Sequence, residues 1–212
     1  MWRQIPNIIT TLRLVLAAAF FVFLSFYQYE RRGDPWLMTF AFAVYILALV
    51  SDWLDGYLAR RWHVPSVFGR VVDPFADKIL VLGSFIFFAG KNFLIPESGL
   101  KTITGVTPWM VVVLLSRELL VTSLRGIMES SGQSFGAVWA GKFKMGFQSG
   151  TILVILIYVA FLHELIDHKW EQPMLYLRNF GIWGTLVITV YSGWAYIRRA
   201  ADLFQTAERP SA

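Results

Sequence analysis

The sequence contains no cysteine, and its three histidines, His63, His163 and His168, lie in separate connecting segments with no ligand spacing. Disulfides and thiolate metal sites are excluded, which leaves oxygen ligands for any metal. Charge is scarce as well: 16% of residues are Asp, Glu, Lys or Arg, against 56% hydrophobic. In a chain of 212 residues this is too much apolar surface for one soluble core to bury and too little charge to cover it, so the expected surroundings are a lipid bilayer. The net charge of +5 brings no basic helix or arm that stands clear of the apolar runs, which argues against a nucleic-acid partner. The basic residues fall in short connections and tails, as in membrane proteins that face anionic lipid. No internal repeat or low-complexity tract divides residues 1–212, which read as a single domain.

What the sequence does have is long apolar runs. A spanning helix needs about 20 mostly apolar residues, and six segments qualify: Pro6–Tyr27, Pro35–Ala59, Pro74–Ile95, Gly105–Met128, Phe143–Leu162 and Met174–Ile197. The fold class expected is an all-α integral membrane protein with six transmembrane helices. The first run continues past "AAA" into Phe and Leu with no small-residue cleavage site, so it reads as a retained span and not as a signal peptide. Lys and Arg set the orientation. With the N-terminus inside, the cytoplasmic side holds Arg3, Arg60, Arg61, Arg70, Arg125, Lys142, Lys144, Arg198, Arg199 and Arg209. The other side holds Arg31, Arg32, Lys91, Lys101, Lys169 and Arg178, balanced by six acids. Both termini are expected in the cytoplasm, with a polar cavity open to that side.

Between the second and third runs lies "SDWLDGYLARRWHVPSVFGRVVDPFADK", residues 51–78, with Asp52, Asp55, Asp73 and Asp77. Asp52 and Asp55 are three apart and share a helix face with Gly56 and Ala59; Asp73 and Asp77 are four apart and share another, near a start that Pro74 suits. The short connection predicts that the two helices are antiparallel neighbours with both acid pairs together. At about 1.5 Å per residue from Arg60, the site lies roughly 8–12 Å deep. A lone carboxylate at the bilayer centre costs about 2.5–3.5 kcal/mol, and four together repel one another. Arg60, Arg70 and Lys78 offer a purely salt-bridged alternative, but two divalent cations offset four charges more completely. All-oxygen ligation selects hard ions such as Mg²⁺ or Mn²⁺, and paired metals suit phosphoryl transfer.

The spacing Asp52-x-x-Asp55-Gly56-x-x-Ala59-Arg60, eight residues, Gly69-x-x-x-Asp73-x-x-x-Asp77 resembles the signature of the CDP-alcohol phosphotransferase family at every fixed position. The resemblance implies a six-helix membrane enzyme, a homodimer, that moves a phosphatidyl or similar group from a CDP-linked donor such as CDP-diacylglycerol to an alcohol and releases CMP. It implies that Asp52, Asp55, Asp73 and Asp77 bind two metals and that Asp77 also deprotonates the acceptor hydroxyl. Gly56, Ala59, Arg60 and Gly69 would line the cytidine and diphosphate site, with Ser66 near the nucleotide. The opening "PNIITTLR" is similar to the family's, which places Asn7, Thr10 and Arg13 near the donor's diphosphate. On their own, Asn7 and Thr10 would read as helix caps and Arg13 as a snorkelling side chain.

The acceptor is addressed by "SRELLVTSLRGIMESSG" and "GAVWAGKFKMGFQ". Arg117 and Glu118 lie well inside an apolar run, where an ionisable residue is a functional hypothesis by default. Arg125 follows about two turns later, and Lys142 and Lys144 begin the fifth helix beside it. Four cations converging on one cavity would bind an acceptor phosphate; an Arg117–Glu118 pair and interfacial lysine anchors are the alternatives. Both segments resemble the phosphatidylglycerophosphate synthases within the family, with departures at Gly126 and Met145, and imply glycerol 3-phosphate as acceptor. Inositol phosphate or another polar alcohol is the runner-up. A cation or proton transporter would distribute its acids across the membrane, whereas these cluster at one end.

Overall fold

The computed structural model describes residues 5–29, 35–62, 67–96, 99, 101–130, 139–161 and 170–207. Each apolar run forms one helix: α1 (Ile5–Phe26), α2 (Pro35–Trp62), α3 (Val67–Phe88), α4 (Pro108–Ser130), α5 (Trp139–Phe161) and α6 (Glu171–Ala207). Among the described residues no strand forms beyond an isolated bridge between Leu94 and Thr102. Pro35 and Pro108 open α2 and α4, where a missing N–H costs nothing. Three stretches, Trp36–Leu54, Phe143–Phe161 and Glu171–Asp202, are long and apolar enough to cross a membrane by length and composition, and Thr10–Phe26 is a shorter apolar stretch. Runs in α3 and α4 are interrupted by charge: Arg70, Asp73, Asp77 and Lys78 in one, Arg117, Glu118 and Arg125 in the other.

The helix limits depart from expectation most at α3. It starts at Val67, so Pro74 lies inside the helix and not in its first turn. It also stops at Phe88, short of Ile95, because the following residues fold back on themselves. A 3-10 turn at Lys91–Phe93 leads into hydrogen bonds from Ile95 N to the Lys101 carbonyl (2.9 Å) and from Ile103 N to the Phe93 carbonyl (2.8 Å). The same segment caps its neighbours: Thr104 Oγ1 donates to the Phe88 carbonyl (2.7 Å) at the end of α3, and Asn92 Nδ2 to the Ser25 carbonyl (2.9 Å) at the end of α1. Irregular backbone at the edge of a membrane must satisfy its own polar groups, and these bonds satisfy several of them. α5 begins at Trp139, so Lys142 and Lys144 fall within its first two turns, and α6 runs on to Ala207.

α1 is the centre of one half of the molecule, packed against both α2 and α3, while α6 packs on α4 and α5, and α5 joins the halves through α2 and α3. Among the described residues α3 packs chiefly on α1, and most side chains at the facing ends of α2 and α3, where their pairing is expected, lie outside them. Phe23 stacks on Phe40 of α2 at one end of α1, and Phe21 on Phe87 of α3, both with near-parallel rings. Pairs such as Trp109–Trp183 and Arg117–Ser192 show that α4 and α6 run in the same direction, while Gln148–Thr189 and Thr151–Thr185 show that α5 and α6 run oppositely. The helices therefore alternate, so the start of α1, the end of α2, the start of α3, the end of α4, the start of α5 and the end of α6 lie at one end of the bundle. Inside are Phe20, Tyr45, Phe85, Phe88 and Ile152, with polar Thr185, Thr189 and Ser192 also buried. Outside are large apolar side chains such as Val22, Leu47, Val112 and Val187. An apolar exterior around a partly polar interior suits lipid as solvent.

Close approach between α1 and α3 depends on Gly83, where an added Cβ would stand 2.3 Å from Cζ of Phe21. Gly83→Leu should displace the Phe21 ring from its stack on Phe87 and cost about 1–3 kcal/mol of stability, seen as a lowered melting temperature of the detergent-purified protein. An unchanged melting temperature would show that the two helices do not depend on this contact.

Candidate active site

The acid centre is built by three helices. Asp52 sits near the end of α2 and Asp77 in the first half of α3, and α1 places Arg13 between them. Nη1 of Arg13 lies 2.9 Å from Oδ1 of Asp52 and 3.2 Å from Oδ1 of Asp77. The guanidinium is 1% exposed, whereas the carboxylates are 49% and 25% exposed. The arginine thus rises from the packed interior and the acids meet it from the open end of the bundle. Thr10, one turn earlier, is fully buried on the same face of α1. One acid of each pair, Asp52 and Asp77, is thus brought to the other through Arg13 of α1.

Gly56 is partly exposed on α2. The side chains of Asn7, Asp55, Ala59, Arg60, Asp73 and Lys142 and the surroundings of Gly69 lie outside the described part of the structure, as does Ser66 altogether. Carboxylate oxygens are the donors a hard cation takes, but the two described here meet on Arg13, and among the described residues no group of three or more acids or histidines gathers that could hold a metal.

A second charged cluster adjoins the first. Nη1 of Arg117 donates to Oε1 of Glu118 at 2.9 Å, and Nζ of Lys144, on α5, pairs with the same oxygen. Lys144 is 3% exposed, so it is no interfacial anchor. The Arg117–Glu118 pair expected as an alternative does form, but one carboxylate is shared by two cations. Arg117 is further held by α6: its Nε donates to Ser192 Oγ at 3.1 Å, and its guanidinium lies 5.5 Å from the centre of the Tyr196 ring. Nη2 of Arg125 reaches the Tyr196 hydroxyl at 3.5 Å. From α3, Nζ of Lys78 donates to Thr122 Oγ1 at 2.8 Å, close enough to Arg117 and Arg125 for their charges to act on it. Four cations of three helices therefore gather here: Arg117 and Lys144 share the Glu118 carboxylate, while Lys78 and Arg125 are held by the hydroxyls of Thr122 and Tyr196. Nη2 of Arg117 and Nε of Arg125 are buried with no hydrogen-bond partner among the described residues. An anion with several oxygens would satisfy both the charge and the unused donors.

Sequence reasoning placed Arg117, Arg125 and Lys144 here but missed Lys78, Ser192 and Tyr196. Lys78 carried a usable signal, a cation directly after Asp77 and inside an apolar run. Ser192 and Tyr196 carried none, since a serine and a tyrosine in an apolar helix are ordinary.

Comparison with known proteins bears directly on this arrangement. Residues 3–191 match the family model described as CDP-alcohol phosphatidyltransferase. The chain is 30% identical to the CDP-diacylglycerol--glycerol-3-phosphate 3-phosphatidyltransferase of Bacillus subtilis, over 96% of this chain and 98% of that protein. It is also 30% identical to the proteins of that name from Cereibacter sphaeroides (93% of this chain, 95% of the relative) and Yersinia pestis (97% and 100%). A match across most of the chain, on a helical bundle whose acid centre holds Asp52 and Asp77 of the expected signature, establishes that the chain belongs to the CDP-alcohol phosphatidyltransferase family.

Proposed function

We propose that the chain transfers the phosphatidyl group of CDP-diacylglycerol to glycerol 3-phosphate, giving phosphatidylglycerophosphate and CMP, the reaction its relatives' names describe. The observation that carries the reading is a juxtaposition on α3. Asp77 belongs to the acid centre joined by Arg13, and the next residue, Lys78, belongs to the cation cluster of Arg117, Arg125 and Lys144. A carboxylate site suited to a metal-bound diphosphate thus adjoins a pocket suited to a second, free phosphate.

The family generally uses divalent metals. In our reading Asp52, Asp55, Asp73 and Asp77 would hold two divalent ions, Mg²⁺ or Mn²⁺, whose charge would neutralise the donor's diphosphate and polarise its phosphorus. Asn7, Thr10 and Arg13 hold the diphosphate from α1, and Gly56, Ala59, Arg60, Ser66 and Gly69 line the cytidine side. Arg117, Arg125, Lys142 and Lys144, together with Lys78, take the acceptor's phosphate. That leaves the glycerol hydroxyl near Asp77, which accepts its proton. The hydroxyl oxygen bonds to the phosphatidyl phosphorus, the phosphoanhydride bond breaks, and CMP leaves with the bond's electron pair. A positioned general base contributes about 10²–10⁴-fold to such a step. The cavity opens to the cytoplasm, six spans cross the bilayer with both termini inside, and the enzyme works as a homodimer.

The deciding experiment is CMP release from CDP-diacylglycerol by purified protein, offered glycerol 3-phosphate, glycerol and inositol phosphate in turn. Glycerol 3-phosphate should be the preferred acceptor, chelation with EDTA should abolish turnover, and Mg²⁺ or Mn²⁺ should restore it. Full turnover in EDTA would leave the acid centre as a salt-bridged structural feature.

Loss of one charge-assisted contact to the phosphate predicts that Arg125→Ala weakens use of glycerol 3-phosphate by about tenfold to a hundredfold. The apparent affinity for CDP-diacylglycerol should barely change, and free glycerol should remain as poor an acceptor as before. Equal loss with both acceptors would make the cluster structural.

Orientation is tested with reporter fusions after Gln28 and after Arg61, which should report opposite sides with Arg61 inside. A periplasmic or luminal signal from Arg61 would place the acid centre on the wrong side for cytoplasmic substrates.

A further inference from the structure

The cation cluster raises a physical difficulty that its own residues do not resolve. Arg117 and Arg125 are long, flexible and alike in charge, so on their own they would separate or collapse onto Glu118. Glu118 already receives Nη1 of Arg117 and Nζ of Lys144, and it does not fix the plane of the Arg117 guanidinium. That plane is fixed from α6. Ser192 Oγ accepts from Arg117 Nε (3.1 Å) while donating its own hydrogen to the Thr189 carbonyl (3.0 Å). The Tyr196 ring lies against the Arg117 guanidinium, and the hydroxyl of the same tyrosine receives Arg125 Nη2. One side chain therefore touches both arginines, one by its face and one by its hydroxyl.

Tyr196 is itself held in place. It is 2% exposed, and its hydroxyl lies against Gly141 at the start of α5, where an added Cβ would stand 3.2 Å from the oxygen. Gly193 lets α6 approach Arg117 just as closely, since a Cβ there would stand 3.2 Å from Arg117 Cγ. The register of α6 is set by a buried face spaced three and four residues apart: Gly181, Thr185, Thr189, Ser192, Tyr196 and Ala200. Thr151 bonds the Gly181 carbonyl and meets Thr185, and Gln148 reaches Thr189 at 3.5 Å, which locks that face against α5. With Nε of Arg117 and Nη2 of Arg125 engaged by α6, the buried donors left over are Nη2 of Arg117 and Nε of Arg125. Both Ser192 and Tyr196 follow the stretch matched by the family model.

We propose that Ser192 and Tyr196 are positioning residues for the acceptor: they hold Arg117 and Arg125 so that their remaining N–H groups present a ready-made site to a phosphate dianion. This rests on reading the cluster as the acceptor-phosphate pocket. Pre-organisation of this kind raises affinity for the phosphate-bearing substrate and leaves the donor site untouched.

The test is steady-state kinetics of the full-length enzyme in detergent with both substrates varied. Tyr196→Leu removes ring and hydroxyl and should raise KM for glycerol 3-phosphate about tenfold, whereas Tyr196→Phe keeps the ring and should raise it only about threefold. In both variants KM for CDP-diacylglycerol should stay at the parent value and kcat within about twofold, the pattern of a lost binding contribution. In an Arg125→Ala background, Tyr196→Phe should raise KM for glycerol 3-phosphate clearly less than in the parent, because the hydroxyl's contact with Arg125 is gone. If Tyr196→Leu does not fold, the Tyr196→Phe cycle decides alone. The proposal is overturned if Tyr196→Phe leaves KM for glycerol 3-phosphate unchanged, if both KM values rise together, or if the substitution costs as much with Arg125 absent as with it present. Should Arg125→Ala itself leave glycerol 3-phosphate kinetics unchanged, the acceptor-pocket reading fails first; an effect of Arg125→Ala without one of Tyr196→Phe defeats only the positioning role.

Discussion

A guanidinium at 1% exposure, with carboxylates of two other helices within 2.9 and 3.2 Å, is the constraint on which the acid end of the bundle depends. Burying Arg13 in an apolar interior is tolerable only with its counter-ions in place, because desolvation of an unpaired charge costs several kcal/mol. The same requirement acts in reverse on Asp52 and Asp77, whose charges would drive α2 and α3 apart at that end. The pairing sets where α1 lies: between the two acid-bearing helices, with its aromatic face on Phe40 and Phe87 farther along. Packing along the helices and charge neutralisation at their ends therefore demand the same arrangement.

The second cluster solves a similar problem with the opposite sign. Lys144, Arg117, Arg125 and Lys78 gather where α3, α4, α5 and α6 come together, and Glu118, the one acid paired with them among the described residues, is too little to neutralise them. The excess is held by weaker partners, namely a serine and a threonine hydroxyl and an aromatic face. These solvate cations without cancelling their charge, so the cluster stays receptive to an anion in a way that a fully salt-bridged one would not.

Much of this was legible in the sequence. Apolar runs of about the right length became helices, because composition and length alone decide that step. The signature aspartates and the intramembrane Arg117 and Glu118 stood out because charge in an apolar run is costly. Helix limits were less legible. Pro74 suits a helix start, yet α3 begins seven residues earlier at Val67. At the end of α3 the Phe88 carbonyl is taken by Thr104, a residue of the next segment, as Asn92 of that segment takes the Ser25 carbonyl at the end of α1. The pairing of α1 with α3, and Arg13 as the link between Asp52 and Asp77, depend on contacts across 39 to 64 residues of chain that no local pattern encodes. Ser192 and Tyr196 acquire meaning only beside Arg117 and Arg125.

α6 is 37 residues long, about 55 Å at 1.5 Å per residue, against a hydrocarbon layer about 30 Å thick. Even tilted, such a helix has turns to spare beyond the lipid tails, and its far part carries exposed Arg198, over the Trp194 ring, and exposed Arg199. Those two guanidinium groups stay charged throughout the physiological range and stand at the end of the bundle that carries the acid centre and the cation cluster. Their field adds to that of the cluster and falls off over about a Debye length, about 8 Å at physiological ionic strength. Added salt would therefore weaken the long-range pull on a phosphate-bearing substrate while leaving the buried hydrogen bonds of the cluster largely intact.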